Sequence, residues 1–306
     1  MIYLAPMMSY TNGWFRSMIQ ALHPNVIVMT EMITLQALKH APLQRTLWCH
    51  PLERDTILQV ASGSILHVEE LQQALIKLPF QHINLNAGCP SDRVEQGLMG
   101  AVMMLHPELT TKVLTALLAT KKTISIKTRL GVNDQSDSMW EEWLQTVLTS
   151  GVKDVFLHAR QALLNGINPS QNRTIPPLRY ERVLSIAKQY PEINWVINGG
   201  LNDIETIQEL RACSELSGVM LGRVAYQCPM IFWQLAKLDN VADLSRLDRW
   251  FETVADKILC AQMITALLAL TQGLENAKKI RNDIVEHKGK VYHTGPLKDL
   301  MWKTYI

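Results

Sequence analysis

Short apolar runs rich in β-formers recur along the first three quarters of the chain: Ile2–Ala5, Val26–Thr30, Thr56–Val60, His82–Leu85, Thr123–Thr128, Asp154–His158, Trp195–Asn198 and Gly218–Leu221. Between most of them the rhythm changes to the three-to-four spacing of one helix face. Val68, Leu71, Leu75 and Leu78 follow it, as do Leu109, Val113, Leu114 and Leu117, and Ile204, Ile207 and Leu210. Eight strands alternating with helices over about 230 residues predict a (β/α)8 barrel, with a doubly wound sheet as the alternative. From about Leu244 the strand pattern stops. Leu244, Leu247, Trp250, Phe251 and Val254 read as helix, and an uncharged run from Ile258 to Leu274 follows. At 17 residues, interrupted by Gln262, Thr265, Thr271 and Gln272, that run predicts a helix buried in a bundle rather than a membrane span. The expected division is a barrel over residues 1–240 and a small helical domain over 241–306.

The polar residues collect at one end of the strands. Pro6-Met7-Met8, Glu31, Gln59, Asn86 with Cys89, Lys127 with Arg129, His158 with Arg160, Asn198-Gly199-Gly200 and Gly222-Arg223 all stand at C-terminal strand ends. In a barrel these ends converge on one mouth. The seventh and eighth ends carry glycines before expected helices, which lets backbone N–H groups approach an anion. Two such ends side by side, one with an arginine, point to a phosphate-bearing cofactor, although a Gly-Gly pair alone is more often a tight turn. Lys127 lies in the apolar run Ile124-Ser125-Ile126-Lys127. An inward lysine is costly unless it faces an electron-rich group such as a flavin ring; the plain alternative is a lysine snorkelling to water. His158 closes its strand in the same ring of positions, as a cofactor contact or as a satisfied structural histidine.

Composition changes this picture in two places. Thirty Lys and Arg against 28 Asp and Glu give a net charge of +2, which by itself suggests no polyanionic partner. Residues 276–306, however, hold seven of the cations (Lys278, Lys279, Arg281, Lys288, Lys290, Lys298, Lys303) and three acids, a local +4. Such a patch suits a phosphate backbone, though composition alone favours a solvated helix face. The five cysteines are scattered with no C-x-x-C pair. No metal site is therefore expected, and a reducing, cytoplasmic setting fits. The start, Met1 to Pro6, lacks the basic and apolar segments of a secretory signal, so none is expected.

Cys89 differs from the other four cysteines. Gly88 and Pro90 hold it on a tight loop at the barrel mouth. A thiol there can be a nucleophile, a metal ligand or a proton donor. The lack of a second cysteine argues against the metal, and a neutral thiol acting as general acid is a reasonable role.

Together these residues resemble the tRNA-dihydrouridine synthase family. The resemblance rests on Ala5-Pro6-Met7, on NLNAGCPSDR from Asn84 to Arg93, on Lys127-Thr128-Arg129, on His158-Ala159-Arg160 and on Gly222-Arg223, and it covers nearly the whole chain. The stretch from His158 to Pro177 is most similar to the bacterial A-type subgroup. That resemblance implies an FMN-dependent barrel that takes electrons from NADPH and reduces uridine in the D-loop of tRNA to 5,6-dihydrouridine. It implies Cys89 as the proton donor. Pro6, Met7, Met8, Gln59, Lys127 and His158 would line the flavin, and Asn198, Gly199, Gly200, Gly222 and Arg223 would hold its phosphate. Asn86 and Arg173 would read the uracil, and Lys278 and Arg281 would contact the tRNA. A monomer is expected. Two departures from the family pattern stand in Val60-Ala61-Ser62-Gly63 and at Ser170. The alternatives are a synthase of other position specificity, a flavin barrel with a small substrate, and an RNA-binding protein with a relict flavin site.

Overall fold

The computed structural model describes residues 1–40, 47–164, 167–168, 170–275 and 277–305, with the backbone alone at Arg93. Part of the long loop between Leu163 and Pro177 therefore lies outside the described residues. Among the described residues there are nine parallel strands: β1 (Ile2–Leu4), β2 (Val26–Val28), β3 (Ile33–Thr34), β4 (Leu58–Ala61), β5 (His82–Ala87), β6 (Thr123–Arg129), β7 (Asp154–His158), β8 (Asn194–Asn198) and β9 (Gly218–Leu221). Their order is β2-β1-β9-β8-β7-β6-β5-β4-β3. A parallel bridge between Met29 and Ile57 joins the end of β2 to the start of β4 and closes the ring. The eight expected strands are thus the eight staves of the barrel. The ninth, β3, is a two-residue addition on the end of β4, too short to leave a period in the sequence.

Helices on the outer face supply the right-handed crossovers that parallel neighbours require. Ile65–Lys77 buries Val68 and Leu75, and Pro107–Leu118 buries Val113, Leu114 and Leu117. The helix Ile204–Ala212 starts where Asp203 accepts a hydrogen bond from the N–H of Thr206, the side-chain cap that satisfies an orphan donor of the first turn. After Gly222-Arg223 the helix is a single short turn, Val224–Gln227.

The apolar run from Ile258 to Leu274 forms a helix only over Ala261–Leu270. Ile258 and Leu259 instead bridge to Val291 and Lys288. No helix among the described residues is long and apolar enough to cross a membrane. The C-terminal helices pack on the barrel through its first helix, Gly13–Leu22, which meets both Leu244–Val254 and Ala261–Leu270. Two hydrogen bonds tie them, from Trp250 Nε1 to Ser17 Oγ at 2.9 Å and from Asn12 Nδ2 to the Gln262 carbonyl at 3.4 Å. One apolar cluster runs without a break from the barrel's outer layer into these helices.

Candidate active site at the barrel mouth

Alternation along the strands decides what enters the barrel. On β6, Ser125, Lys127 and Arg129 share one face, while Ile124 and Ile126 are buried on the other. Pairing register then sets Lys127 level with Asn86 on β5, Arg129 with His158 on β7, and His158 with Asn198 on β8. The C-terminal ends of the staves surround a single cleft. Its wall contains Pro6, Met7 and Met8 after β1, Gln59 on β4, and Asn86 with Cys89 at the end of β5. It also contains Lys127, His158, Asn198 to Gly200, Arg173, Gly222 and Arg223. Of the residues singled out in the sequence, Lys278 and Arg281 stand elsewhere, on the helix Lys278–Glu286, and the strand-end residues Glu31 and Arg160 are not part of the cleft wall.

Cys89 is fixed at several atoms. Its N–H and that of Gly88 donate to Asn86 Oδ1 at 3.0 and 3.2 Å, and its carbonyl accepts from the N–H of Ala101 at 2.9 Å. Gly100 makes that last contact possible. At φ +68° it adopts a conformation that favours glycine, and a Cβ there would come within 2.4 Å of the Cys89 carbonyl oxygen. Burial pushes the Cys89 thiol up against the opposing pull of Arg129, Arg173 and Lys127. The sulfur therefore keeps its proton at neutral pH, as a general acid must.

The surrounding charge is one-sided. Lys127, Arg129, Arg173 and Arg223 line the cleft, and no described lining residue is a carboxylate. Lys127 Nζ donates to Asn198 Oδ1 at 3.1 Å, and Asn198 Nδ2 donates to the Met220 carbonyl at 2.7 Å. Burial, helped by Arg129, brings the Lys127 ammonium down to about 7. His158 is held well below its ordinary value, first by burial and then by Arg129 and Lys127, so its ring is neutral. A cation cluster of this kind is unfavourable by itself and is relieved by an anionic or electron-rich ligand.

The seventh and eighth strand ends have the shape an anion needs. Gly199 and Gly200 have φ of +107° and +73°. A Cβ on Gly199 would strike the His158 ring at 2.5 Å, and one on Gly200 would strike Leu178 at 2.4 Å. Tyr180 Oη donates to the Gly199 carbonyl at 2.6 Å and stiffens the turn. Arg223 reaches across to the Arg173 carbonyl at 3.2 Å. This donor set, with several cations, close backbone approach and no carboxylate, fits a phosphate-bearing flavin.

Several lining residues were given no role from sequence. Arg129, which stands at a strand end, is 6% exposed and straps two loops together. Its Nε donates to the Gly88 carbonyl at 3.0 Å, and its Nη1 donates to the carbonyls of Gln161 at 3.2 Å and Asn172 at 2.9 Å. The turn Gln171–Arg173, which carries Arg173, is thereby tied to the cysteine loop. The period-two spacing of Lys127 and Arg129 was the available signal. Tyr10 and Tyr226 stack at 4.2 Å on the opposite rim; they come from β1 and β9 ends that only the closed ring makes adjacent.

In the tail, Lys278, Lys279, Lys288, Lys290 and Lys303 are exposed and Arg281 is half-buried. Lys298 is already engaged, paired with Asp248 and lying 5.3 Å over the Trp302 ring. It therefore adds less to the patch than its charge suggests.

Comparison with known proteins gives one consistent family. The profile of the dihydrouridine synthase (Dus) family matches residues 3–305. The tRNA-dihydrouridine(20/20a) synthase of Synechocystis sp. is 38% identical over 232 residues, which are 75% of this chain and 69% of that protein. The protein of the same name from Shewanella oneidensis is 35% identical, covering 78% and 70%. That from Xylella fastidiosa is 31% identical over 299 residues, covering 92% and 88%. Among solved structures, the fold is similar to 2-naphthoyl-CoA reductase (TM-score 0.54, 8% identity, 89% of this chain and 61% of that one). It is also similar to histamine dehydrogenase from Rhizobium sp. 4-9 (TM-score 0.51, 11% identity, 88% and 48%). At these identities the likeness is one of fold.

Proposed function

The chain belongs to the dihydrouridine synthase family, and from that premise we propose that it reduces uridine to 5,6-dihydrouridine in the D-loop of tRNA, at positions 20 and 20a, with FMN as cofactor and NADPH as electron donor. The observation that carries this reading is the pairing, in one cleft, of a protonated Cys89 with a wall of cations free of described carboxylates. When bound, reduced FMN supplies a hydride to C6 of the uracil. Cys89 Sγ holds the proton that C5 needs on the carbanion side, and the Asn86 bonds to the loop N–H groups keep it in place. Lys127 provides positive charge beside the electron-rich edge of the ring, and the neutral His158 contacts the cofactor without adding to the repulsion. Asn198, Gly199, Gly200, Gly222 and Arg223 hold the phosphate, with Pro6, Met7, Met8 and Gln59 against the flavin.

Uracil is stacked in folded tRNA and must leave the stack to enter the cleft. Arg173, exposed at the mouth, and the free N–H of Asn86 are placed to read its edge. The exposed lysines of the C-terminal helices, Lys278 foremost, and the half-buried Arg281 meet the phosphate backbone. The test is direct. Flavin-loaded protein is incubated with NADPH and an unmodified tRNA transcript, and the nucleosides are mapped by mass spectrometry. Dihydrouridine at positions 20 and 20a is expected. Its appearance only elsewhere in the D-loop would overturn the specificity, and its absence would overturn the reaction.

A further inference from the structure

The face of β5 that looks into the barrel is polar throughout: His82, Asn84 and Asn86 alternate with the apolar Ile83, Leu85 and Ala87. Barrel interiors are ordinarily filled by branched apolar side chains, and Asn84 is fully buried away from the cleft wall. A buried amide is costly unless its donors and acceptor are used. Here they are used in series. Asn86 Nδ2 donates to Gln59 Oε1 at 3.0 Å, and Gln59 Nε2 donates to Asn84 Oδ1 at 2.8 Å. Asn84 Nδ2 donates to Ser125 Oγ at 2.8 Å, which lies 2.7 Å from His82 Nε2.

The direction of this chain is imposed from its upper end. The backbone N–H groups of Gly88 and Cys89 can only donate, so Asn86 must turn its oxygen to them and its nitrogen to Gln59. Each following amide is then set in turn, and the Ser125 hydroxyl is left to donate to His82. Burial holds the His82 ring neutral and so able to accept. Amides joined this way polarise one another and resist rotation individually.

We propose that Asn84 is a positioning residue for proton donation: through Gln59 it locks the Asn86 amide in the orientation that holds the Cys89 loop. The proposal rests on the reaction proposed above. Neither Asn84 nor Ser125 lines the cleft, so their effect has to travel through the chain.

Asn84→Asp separates this role from packing. A carboxylate at 84 still accepts from Gln59 Nε2, and Ser125 can rotate its hydroxyl to donate to the second oxygen, so the orientation of Asn86 survives. Asn84→Ala removes the acceptor and frees Gln59 to rotate. For a role in packing alone, the buried acid is the worse substitution. The measurements are single-turnover dihydrouridine formation per flavin-loaded enzyme, flavin reduction by NADPH, and the alkylation rate of Cys89 followed by peptide mass spectrometry. Leu85→Ala, on the outer face, is the control for lost stability.

Asn84→Ala is expected to slow uridine reduction about tenfold or more, the worth of one well-made buried hydrogen bond. It should change Cys89 alkylation and leave flavin reduction at the wild-type rate. Asn84→Asp should stay within about threefold of wild type, a margin smaller than one such bond, and Leu85→Ala should lower Tm without these effects. Wild-type uridine reduction in Asn84→Ala, or an Asn84→Asp variant as slow as the alanine, overturns the proposal. If Asn84→Ala does not fold, Ser125→Ala carries the same test from the far end of the chain, where unchanged uridine reduction and Cys89 alkylation overturn it. A wild-type enzyme that makes no dihydrouridine would instead defeat the proposed reaction and leave the alkylation comparison standing.

Discussion

The two halves of the barrel interior are built on opposite principles. On one side, Tyr3 and Ala5 of the β1 stave, Met29 after β2, Phe156 of β7, Val196 of β8 and Met220 of β9 form a small apolar cluster of their own. Tyr3 and Phe156 meet edge to face within it at 5.0 Å. On the other side, Gln59, His82, Asn84, Ser125 and Lys127 fill the same layers with amides, a hydroxyl and an amine. The apolar half is held by burial and dispersion, which tolerate small shifts of any one atom. The polar half is held by directional bonds from one side chain to the next, and it ends at the acid. One half makes the barrel stable; the other aims its chemistry.

The sharpest break between the halves is Cys89→Ala. Removing the general acid should reduce dihydrouridine formation about 10²–10⁴-fold, with flavin content and Tm near wild type. A variant that keeps wild-type turnover would remove Cys89 from the reaction. In the apolar half, Phe156→Ala should do the reverse. It opens a cavity costing about 3–5 kcal/mol, seen as a lower denaturant midpoint, while the folded fraction retains its reductive rate. A large loss of rate per folded molecule would show that the halves are not separable.

A third test uses pH. Lys127 is brought down to about 7, so above that pH the flavin-free fold has shed a proton that the unfolded chain still holds. Stability therefore rises with pH from about 7 towards the ordinary lysine range. Lys127→Met should abolish this rise, and identical thermal-shift profiles from pH 6 to 10 would refute it. The smallest effect is expected outside the barrel. Lys278→Ala with Arg281→Ala should weaken tRNA binding and reduce the slope of log affinity against log salt by about 2, one for each lost phosphate contact. Lys298→Ala, already paired with Asp248, should change that slope less. Unaltered salt dependence in the double variant would take the helix Lys278–Glu286 out of the interface.

Most of the barrel was legible because its staves are short apolar runs at regular intervals, and hydrophobic period is the strongest local signal of secondary structure. The glycines at 199 and 200 and the loop around Cys89 were legible for a different reason: few residue types satisfy their backbone and chemical demands. Of the polar half of the interior, Gln59 and Lys127 were read, but His82, Asn84 and Ser125 were not. His82 and Asn84 look like ordinary polar alternation on a half-exposed strand until the ring closes around them. The length of the helix within Ile258–Leu274 was misjudged for a related reason. Ile258 and Leu259 leave the helix to bridge a segment thirty residues on, a partner that no local window contains.

The sequence by itself determined that parallel strands would bring Cys89, Lys127, His158 and the Gly199-Gly200 turn to one end, because strands joined by right-handed crossovers all end on the same side of their sheet. Only the tertiary structure decided which polar groups answer one another. The series from Cys89 to His82 and the Arg129 strap join residues on different strands and loops, and their pairing depends on register and ring closure. Hydrogen bonds are settled at distances near 3 Å, and a linear pattern carries no information about distances across the barrel.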